Sequence, residues 1–178
     1  MRNVLDKYRE WETDLVREDV LSNSFPYACL MSNIEGDFNI SSVFRNGNAF
    51  GCRDLFYWGK KKWDPRGAVG VQYYSKIQHV PDIDSVRVLA ERYKFVALEC
   101  NSSNTHSLYD YRWDSDKPVC LVIGSESQGI DPTLLELCEE FVEIPMYGSV
   151  RSINAAAAAG IAMCDLVSKK FARNSRAA

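Results

Sequence analysis

The fold class of this 178-residue chain is decided by the stretch Val119-Cys-Leu-Val-Ile-Gly-Ser-Glu-Ser-Gln-Gly129. Its first five residues are all apolar, which is typical of a strand buried on both faces of a parallel sheet. A turn bracketed by two glycines follows at once. Similar short apolar runs occur at residues 27–31, 55–58, 95–98 and 141–144. The sequence therefore predicts five strands.

Helical patterns lie between these strands. Apolar residues recur near helical spacing, or a helix start signal precedes them, at residues 3–21, 38–50, 83–93, 132–138 and 152–170. Asp131-Pro132 is such a start signal, because the aspartate can accept bonds from free amides and the proline loses none. Strands that alternate with helices predict an α/β fold with a mostly parallel sheet flanked by helices.

The composition bounds the domain organisation. With 46% hydrophobic and 25% charged residues, the chain suits one buried domain. We expect a helical extension at residues 1–22, the domain at 23–170 and a flexible tail at 171–178. No apolar run approaches the ~20 residues that span a bilayer, and the charged amino terminus lacks the apolar core of a signal peptide. A cytoplasmic protein without a membrane is the expectation.

The net charge argues against a strongly basic nucleic-acid binder, and the cysteine pattern argues against a metal-binding protein. The formal net charge of −3 is not the footprint of a strongly basic nucleic-acid binder, so any RNA contact must be local. The six cysteines stand singly among apolar residues, and only two histidines could assist a metal. We therefore expect reduced core thiols and no metal site.

Two loops that follow strands are candidates for chemistry, because ligands of open α/β sheets bind at the carboxyl ends of the strands. In the first, residues 124–129, the glycines allow a sharp turn and Glu126 offers an acceptor. The second, residues 144–154, opens a helix with five alanines that Ser152 could cap, which would place Asn154 in its first turn. Taken alone, the first could be an ordinary strand-to-helix turn, and the alanines a plain packing helix.

Three motifs together resemble a known family. The string Ile144-Pro-Met-Tyr-Gly-Ser-Val-Arg-Ser-Ile-Asn154 is similar to the third motif of SpoU-type (TrmH-like) RNA ribose methyltransferases, and Leu121-Val-Ile-Gly-Ser-Glu-Ser-Gln-Gly-Ile130 resembles the second. The first motif corresponds to Asn39-Ile-Ser-Ser-Val-Phe-Arg45. The motifs occur in the order of the family, and the resemblance runs from about residue 26 to 168.

The resemblance implies a fold and a cofactor. Members of this family carry a deep trefoil knot near the carboxyl terminus, a topology that composition cannot predict. They work as homodimers and bind S-adenosylmethionine in the knotted loops, with the active site at the subunit interface. By resemblance, the methyl donor would contact Gly124, Ser125, Glu126, Gly129, Ile144, Pro145, Met146, Ser152 and Ile153.

The resemblance also implies a reaction, the transfer of a methyl group to a ribose 2′-hydroxyl of tRNA or rRNA. The residues expected in catalysis are Arg45, Asn39, Glu126, Ser152 and Asn154. Arg45 would meet the target ribose and its phosphate beside the donor of the other subunit. Helical geometry agrees, because Arg45 projects roughly 150° away from the apolar stripe of residues 40, 43, 44 and 47. An outward arginine can equally be only solvated, and Asn39 only a helix cap.

A basic loop is the local candidate for RNA binding. In Gly59-Lys-Lys-Lys-Trp-Asp-Pro-Arg-Gly67, the cations could neutralise phosphates and the indole could stack on a base. The predicted RNA-binding residues are Arg45, Lys60, Lys61, Lys62, Trp63 and Arg66. A solvated loop with the tryptophan tucked inward is the other interpretation.

Three alternatives remain open at this point. The chain could be a catalytically idle knotted module that binds RNA or a nucleotide, or a knotted methyltransferase that acts on an RNA base. An unrelated α/β enzyme is disfavoured, because no glycine-rich dinucleotide turn follows the first strand and no nucleophile with a base is evident.

Overall fold

The computed structural model describes residues 3–33, 38–99, 105–125 and 128–171. Within these ranges the strands are β1 (Phe25–Asn33), β2 (Cys52–Gly59), β3 (Ile77–Val80), β4 (Lys94–Leu98), β5 (Thr105–Ser107), β6 (Val119–Ile123) and β7 (Glu140–Glu143). The α-helices are α1 (Thr13–Ser22), α2 (Phe38–Ala49), α3 (Ile83–Arg92), α4 (Pro132–Leu135) and α5 (Ala155–Leu166). None of the described helices is long and apolar enough to cross a bilayer.

The strands form one sheet in the order β3-β2-β1-β6-β4-β7-β5. Every strand pair in it is parallel, so the prediction of a mostly parallel α/β sheet is confirmed. Because the strands share one direction, all their carboxyl ends meet at the same edge. The knot stays a prediction of the family resemblance.

Both faces of the sheet are covered, which explains the uninterrupted apolar strands. Along β1, Tyr27, Cys29 and Met31 pack on the face that α2 and α5 cover. Ala28 and Leu30 point to the opposite face, which α3 and α4 cover. β6 is buried along its whole length. Side chains alternate across a strand, so a strand between two helical layers must be apolar at every position.

The sequence predicts five strands and misses two, β3 and β5. β3 has only four residues and β5 only three, and both lie at the ends of the sheet order. Polar residues are tolerated on such edge strands, because one side faces water. His106 at the centre of β5 is exposed, and no apolar run marks the strand.

The amino-terminal segment is not one helix over residues 3–21, as the sequence predicts. A short 3₁₀ turn, Asp6–Tyr8, precedes α1. In a continuous helix Tyr8 and Asp19 would lie about 16 Å apart along the axis. The chain instead bends between them, and the Tyr8 hydroxyl donates to an Asp19 carboxylate oxygen at 2.5 Å. The Lys7 ammonium donates to the same oxygen at 2.8 Å and reinforces the bend.

The amino end of β7 is held by a polar cluster. The Glu140 carboxylate accepts hydrogen bonds from the Lys94 ammonium at the start of β4 and from the Tyr111 hydroxyl. Burial alone would raise the pKa of Glu140, but the hydrogen bonds from Lys94 and Tyr111 outweigh it and hold this pKa below its ordinary value. The cluster therefore stabilises the anionic form.

Candidate functional site

The main candidate site is a pocket at the carboxyl edge of the sheet, where β4, β6 and β7 end side by side. Apolar side chains form most of its wall. Its lining residues are Leu98, Glu99, Ile123, Gly124, Ser125, Gly129, Val142, Glu143, Ile144, Met146, Ser152, Ile153, Ala155 and Ala158. Of the predicted donor contacts, Pro145 lies between two lining residues without lining the pocket, and Glu126 lies outside the described residues.

The turn after β6 requires glycine at both ends. A β-carbon built on Gly124 would lie only 2.1 Å from the carbonyl carbon of Gly129, far inside van der Waals contact. Gly129 adopts a φ of +70°, a conformation that favours glycine. Ser125 and Gly129 close the turn by exchanging two backbone hydrogen bonds of 2.8 and 2.9 Å. The backbone of this turn can therefore lie directly against the pocket.

The loop from residue 144 to 154 forms the opposite wall and the rim of the pocket. Ile144 and Met146 line the pocket and are half-buried. Residues 147–152 are exposed, and the side chains of Tyr147 and Val150 are 87% and 59% accessible. The loop thus gives three apolar side chains to the pocket, those of Ile144, Met146 and Ile153, and leaves Tyr147 exposed next to a lining residue.

The helix after this loop begins later than the sequence predicts. α5 starts at Ala155, and its cap is Asn154, whose side-chain oxygen accepts from the amides of Ala156 and Ala157 at 3.0 and 3.1 Å. The prediction of Ser152 as the cap is wrong. Asparagine at this position satisfies amides that have no partner within the helix. Ser152 remains at the pocket.

Asn39 and Asn154 meet across 115 positions of sequence. The Asn154 amide donates to the Asn39 side-chain oxygen at 2.7 Å, which ties the first turn of α2 to the start of α5. Two turns further along α2, Asn46 donates to the Ala156 carbonyl at 2.7 Å. These three asparagines therefore fix the contact between the two helices and orient the loop at the pocket.

Arg45 lies on α2 away from the pocket. It is exposed, whereas Ile40, Val43 and Phe44 are buried, as the helical geometry predicts. Arg45 is not among the residues that line the pocket, and it borders a cleft between α2 and the amino-terminal segment instead. The structure of one chain therefore does not bring Arg45 to the predicted donor contacts.

The basic loop after β2 lies at the same edge of the sheet and is held in place. The Tyr57 hydroxyl donates to the Lys61 carbonyl at 3.2 Å, and burial raises the pKa of Tyr57, which keeps this donor protonated. The Trp63 ring packs edge to face on Phe44 with a centroid distance of 5.1 Å. This packing matches the tucked-in interpretation of the tryptophan. Lys60, Lys61 and Lys62 are exposed.

The cation at the end of this loop is already paired. Arg66 donates to both oxygens of the Asp64 carboxylate, through Nε at 3.0 and 2.9 Å and through Nη2 at 2.5 Å. Gly67 then lies so close to α2 that an added β-carbon would be 2.2 Å from the Ser41 hydroxyl oxygen. The loop thus rests directly on α2.

Two carboxylates that line the pocket were not predicted from the sequence as site residues. Glu99 follows β4, and Glu143 ends β7. Among the described residues that line the pocket, none is Lys, Arg or His. The lining of the pocket is therefore acidic, which favours a ligand with positive charge. Glu99 could be found only from the sheet order, because β4 lies between β6 and β7 in space but precedes both in sequence.

The fold and the pocket define an α/β protein with a small-molecule site at the ends of its parallel strands. The chain belongs to the SpoU rRNA Methylase family, whose model matches residues 27–164.

Solved structures and a curated relative agree with this family. The A. aeolicus TrmH/SpoU tRNA modifying enzyme is 25% identical with a TM-score of 0.75, over 91% of this chain and 84% of that one. The SpoU methyltransferase AviRb of Streptomyces viridochromogenes, solved with AdoMet, is 25% identical with a TM-score of 0.72, over 86% and 61%. The "Putative TrmH family tRNA/rRNA methyltransferase YacO" of Bacillus subtilis is 26% identical over 88% of this chain and 64% of its own length. The chain thus spans less than two thirds of that relative.

Proposed function

We propose that this protein is an S-adenosylmethionine-dependent RNA methyltransferase that modifies a ribose 2′-hydroxyl of tRNA or rRNA in the cytoplasm. The observation that carries the proposal is the pocket lined by Gly124, Ser125 and Gly129 of the turn after β6 and by the loop at 144–154. These segments are the second and third family motifs, and they line one pocket from opposite sides. The AdoMet complex of the similar AviRb structure supports the identity of the donor.

The residues of the pocket fit this donor. Apolar side chains from three strand ends and from the loop at 144–154 suit the flat faces of an adenosine. Glu99 and Glu143 suit a sulfonium cation, and the tight turn at Gly124 leaves backbone groups close to the ligand. When bound, the donor supplies an electrophilic methyl group for in-line attack by a hydroxyl.

Catalysis by the chain then rests on alignment and electrostatics, and it needs no metal. Asn154 and Asn39 hold α5 against α2, and so fix the loop that carries Met146 and Ser152. Arg45 would hold the target ribose and its phosphate through its planar guanidinium fork. A guanidinium does not release its proton readily in a protein, so Arg45 acts as an orienting cation rather than as the base.

The position of Arg45 supports a homodimer. Since Arg45 does not reach the pocket of its own chain, we propose that it serves the donor bound by a second copy. The outer face of α5 supports such an assembly. It presents a groove that includes Gly160, Ile161 and Cys164 beside α2, and Ile161 is 44% exposed.

The basic loop at 59–67 would bind RNA at the carboxyl edge of the sheet, the edge at which the pocket lies. Lys60, Lys61 and Lys62 extend from a loop that Tyr57 and Phe44 hold in place, and they can neutralise phosphates without a large cost of ordering the backbone. Trp63 and Arg66 belong to the proposed surface as well, although Trp63 packs on Phe44 and Arg66 pairs with Asp64.

Methyl transfer to RNA is the direct test of the function. Bulk tRNA and rRNA lacking the modification are incubated with labelled donor, and the products are digested with alkali. We expect label in alkali-resistant dinucleotides, because a 2′-O-methyl group blocks cleavage. Label confined to bases would replace the ribose assignment by base methylation, and donor binding without transfer would indicate an idle module. Mapping the modified nucleotide then identifies the target RNA.

Arg45→Ala tests the acceptor side. We expect loss of methyl transfer with unchanged donor affinity, measured by calorimetry. Arg87→Ala is the matched control, because it removes an exposed arginine from α3 on the other face of the sheet. Full activity of the Arg45 variant would contradict the proposed role.

Cys164 offers a test of the dimer. It is exposed on the outer face of α5, whereas Cys29, Cys52 and Cys120 are buried. We expect light scattering to give the mass of two chains and a short bis-maleimide to link them through Cys164. Cys164→Ser is the control and should abolish the link. A monomer at micromolar concentration would contradict the proposal.

A further inference from the structure

The feature that carries a further inference is the rim of the pocket at Tyr147. Its side chain is 87% exposed, the highest value among the large apolar side chains of the described ranges. Its neighbour Met146 lines the pocket, as does Ser152 on the other side of the rim. Tyr147 is therefore exposed on the loop whose residues Met146 and Ser152 line the pocket.

We propose that Tyr147 is a substrate-recognition residue on which an unpaired base of the RNA stacks, next to the nucleotide that is methylated. The inference rests on the function proposed above and extends it to the class of RNA recognised. Proteins that read unpaired RNA commonly stack splayed bases on exposed aromatic side chains. The substrate would therefore be a loop, bulge or single strand.

The surroundings of Tyr147 leave room for a base. A β-carbon built on the adjacent Gly148 would meet no atom within 4 Å, so the rim beside the ring is open. Val150, 59% exposed, adds an apolar surface on the same loop, and the exposed Arg151 follows it. An exposed aromatic side chain and a cation on the same loop suit a base and its phosphate.

Charge on the same edge favours RNA over a protein segment as the occupant. Lys60, Lys61 and Lys62 follow β2, and Tyr147 follows β7, which is four strand positions away in the order β2-β1-β6-β4-β7. At the usual strand spacing, the carboxyl ends of β2 and β7 lie roughly 19 Å apart along the edge. One RNA segment can therefore meet the lysines through its phosphates and Tyr147 through a base.

RNA binding by Tyr147 variants is the test. The probe is a fluorescently labelled 12-nucleotide single-stranded RNA, compared with a duplex of the same sequence. We expect Tyr147→Ala to weaken binding of the single strand by about tenfold or more and to leave binding of the duplex unchanged. Tyr147→Phe keeps the ring and should bind like the wild type. Tyr73→Ala is the matched control, because Tyr73 is 61% exposed but precedes β3, at the amino edge.

The same variants separate this inference from the proposed function. With bulk RNA as substrate, Tyr147→Ala should raise KM, with kcat and donor affinity close to those of the wild type. Equal single-strand binding by the Ala variant and the wild type, or an equal loss on single strand and duplex, would overturn the stacking role. A shift from two copies to one on Tyr147→Ala would assign the side chain to the dimer interface instead. Failure of the wild type itself to methylate RNA would overturn the proposed function.

Discussion

The carboxyl edge of the sheet has two halves that are built in different ways. The donor half, residues 124–129 and 144–154, depends on backbone geometry: a glycine turn without space for a side chain, and a loop that places Ile144 and Met146 in the pocket. The acceptor half, residues 59–67 after β2, presents long cations on a loop held by Tyr57 and by Phe44 of α2.

This difference predicts two kinds of failure. A change in the glycine turn of the donor half disturbs close-packed backbone, which cannot relax in small steps, so a single methyl group on Gly124 can remove the pocket. The acceptor half spreads its binding over several exposed cations, each of which contributes a modest share. Substitutions there should reduce RNA binding by increments, without an effect on the donor.

The largest expected effect is that of Gly124→Ala. The new β-carbon would lie 2.1 Å from the Gly129 carbonyl carbon, so the turn must open and the pocket wall must move. We expect donor affinity, measured by calorimetry, to fall by about a hundredfold or more. Gly148→Ala is the matched control, because its β-carbon would meet nothing within 4 Å. Normal donor binding by the Gly124 variant would contradict the backbone account.

The triple substitution of Lys60, Lys61 and Lys62 by alanine should act on RNA alone. Each lysine that neutralises a phosphate adds close to one unit to the slope of log affinity against log salt. We expect the slope to fall by about 2 to 3, with donor affinity unchanged. The measurement is a salt titration of RNA binding. An unchanged slope would remove the basic loop from the RNA surface.

A smaller effect is expected for Gly67→Ala, which should push the basic loop away from α2. The added β-carbon would lie 2.2 Å from the Ser41 hydroxyl oxygen. RNA affinity should fall by about three- to tenfold, and the added substitution Ser41→Ala should restore part of it because the clashing oxygen is gone. If the double variant binds no better than Gly67→Ala, the position of the loop does not depend on this contact.

The smallest effect is expected for Glu140→Gln, which removes the charge that holds the amino end of β7 to Lys94 and Tyr111. The strand β7 leads into the loop at 144–154 of the donor half. The folded-state pKa of Glu140 lies below its ordinary value of 4.5, so its stabilising contribution is present above that value and is lost as the pH falls through the lower one. We expect a loss of about 1 kcal/mol at pH 7. Urea unfolding of both proteins should show this gap closing in acid, and a constant gap would contradict the ionic account.

The sequence predicted the pocket better than its surroundings. Gly124 could be assigned because it follows the buried apolar strand β6, and Ile144 because it ends a predicted strand; both belong to recognisable motifs. Glu99 could not, because only the order β6-β4-β7 places it between them. The sequence also identified Ser152 as a helix cap where Asn154 caps, since both residues are good caps and only the backbone decides. The bend between Tyr8 and Asp19 arises from a tertiary contact that helical periodicity does not report.

The position of β6 has a consequence for how the protein folds. This strand lies between β1 and β4, and Ala28 pairs with Cys120 across more than ninety residues. Such pairings close long loops, and chains that depend on them fold slowly. All three strands of the pocket must be in place before α5 can cover them. We therefore expect donor binding to be the last property that a refolding chain recovers, after its secondary structure.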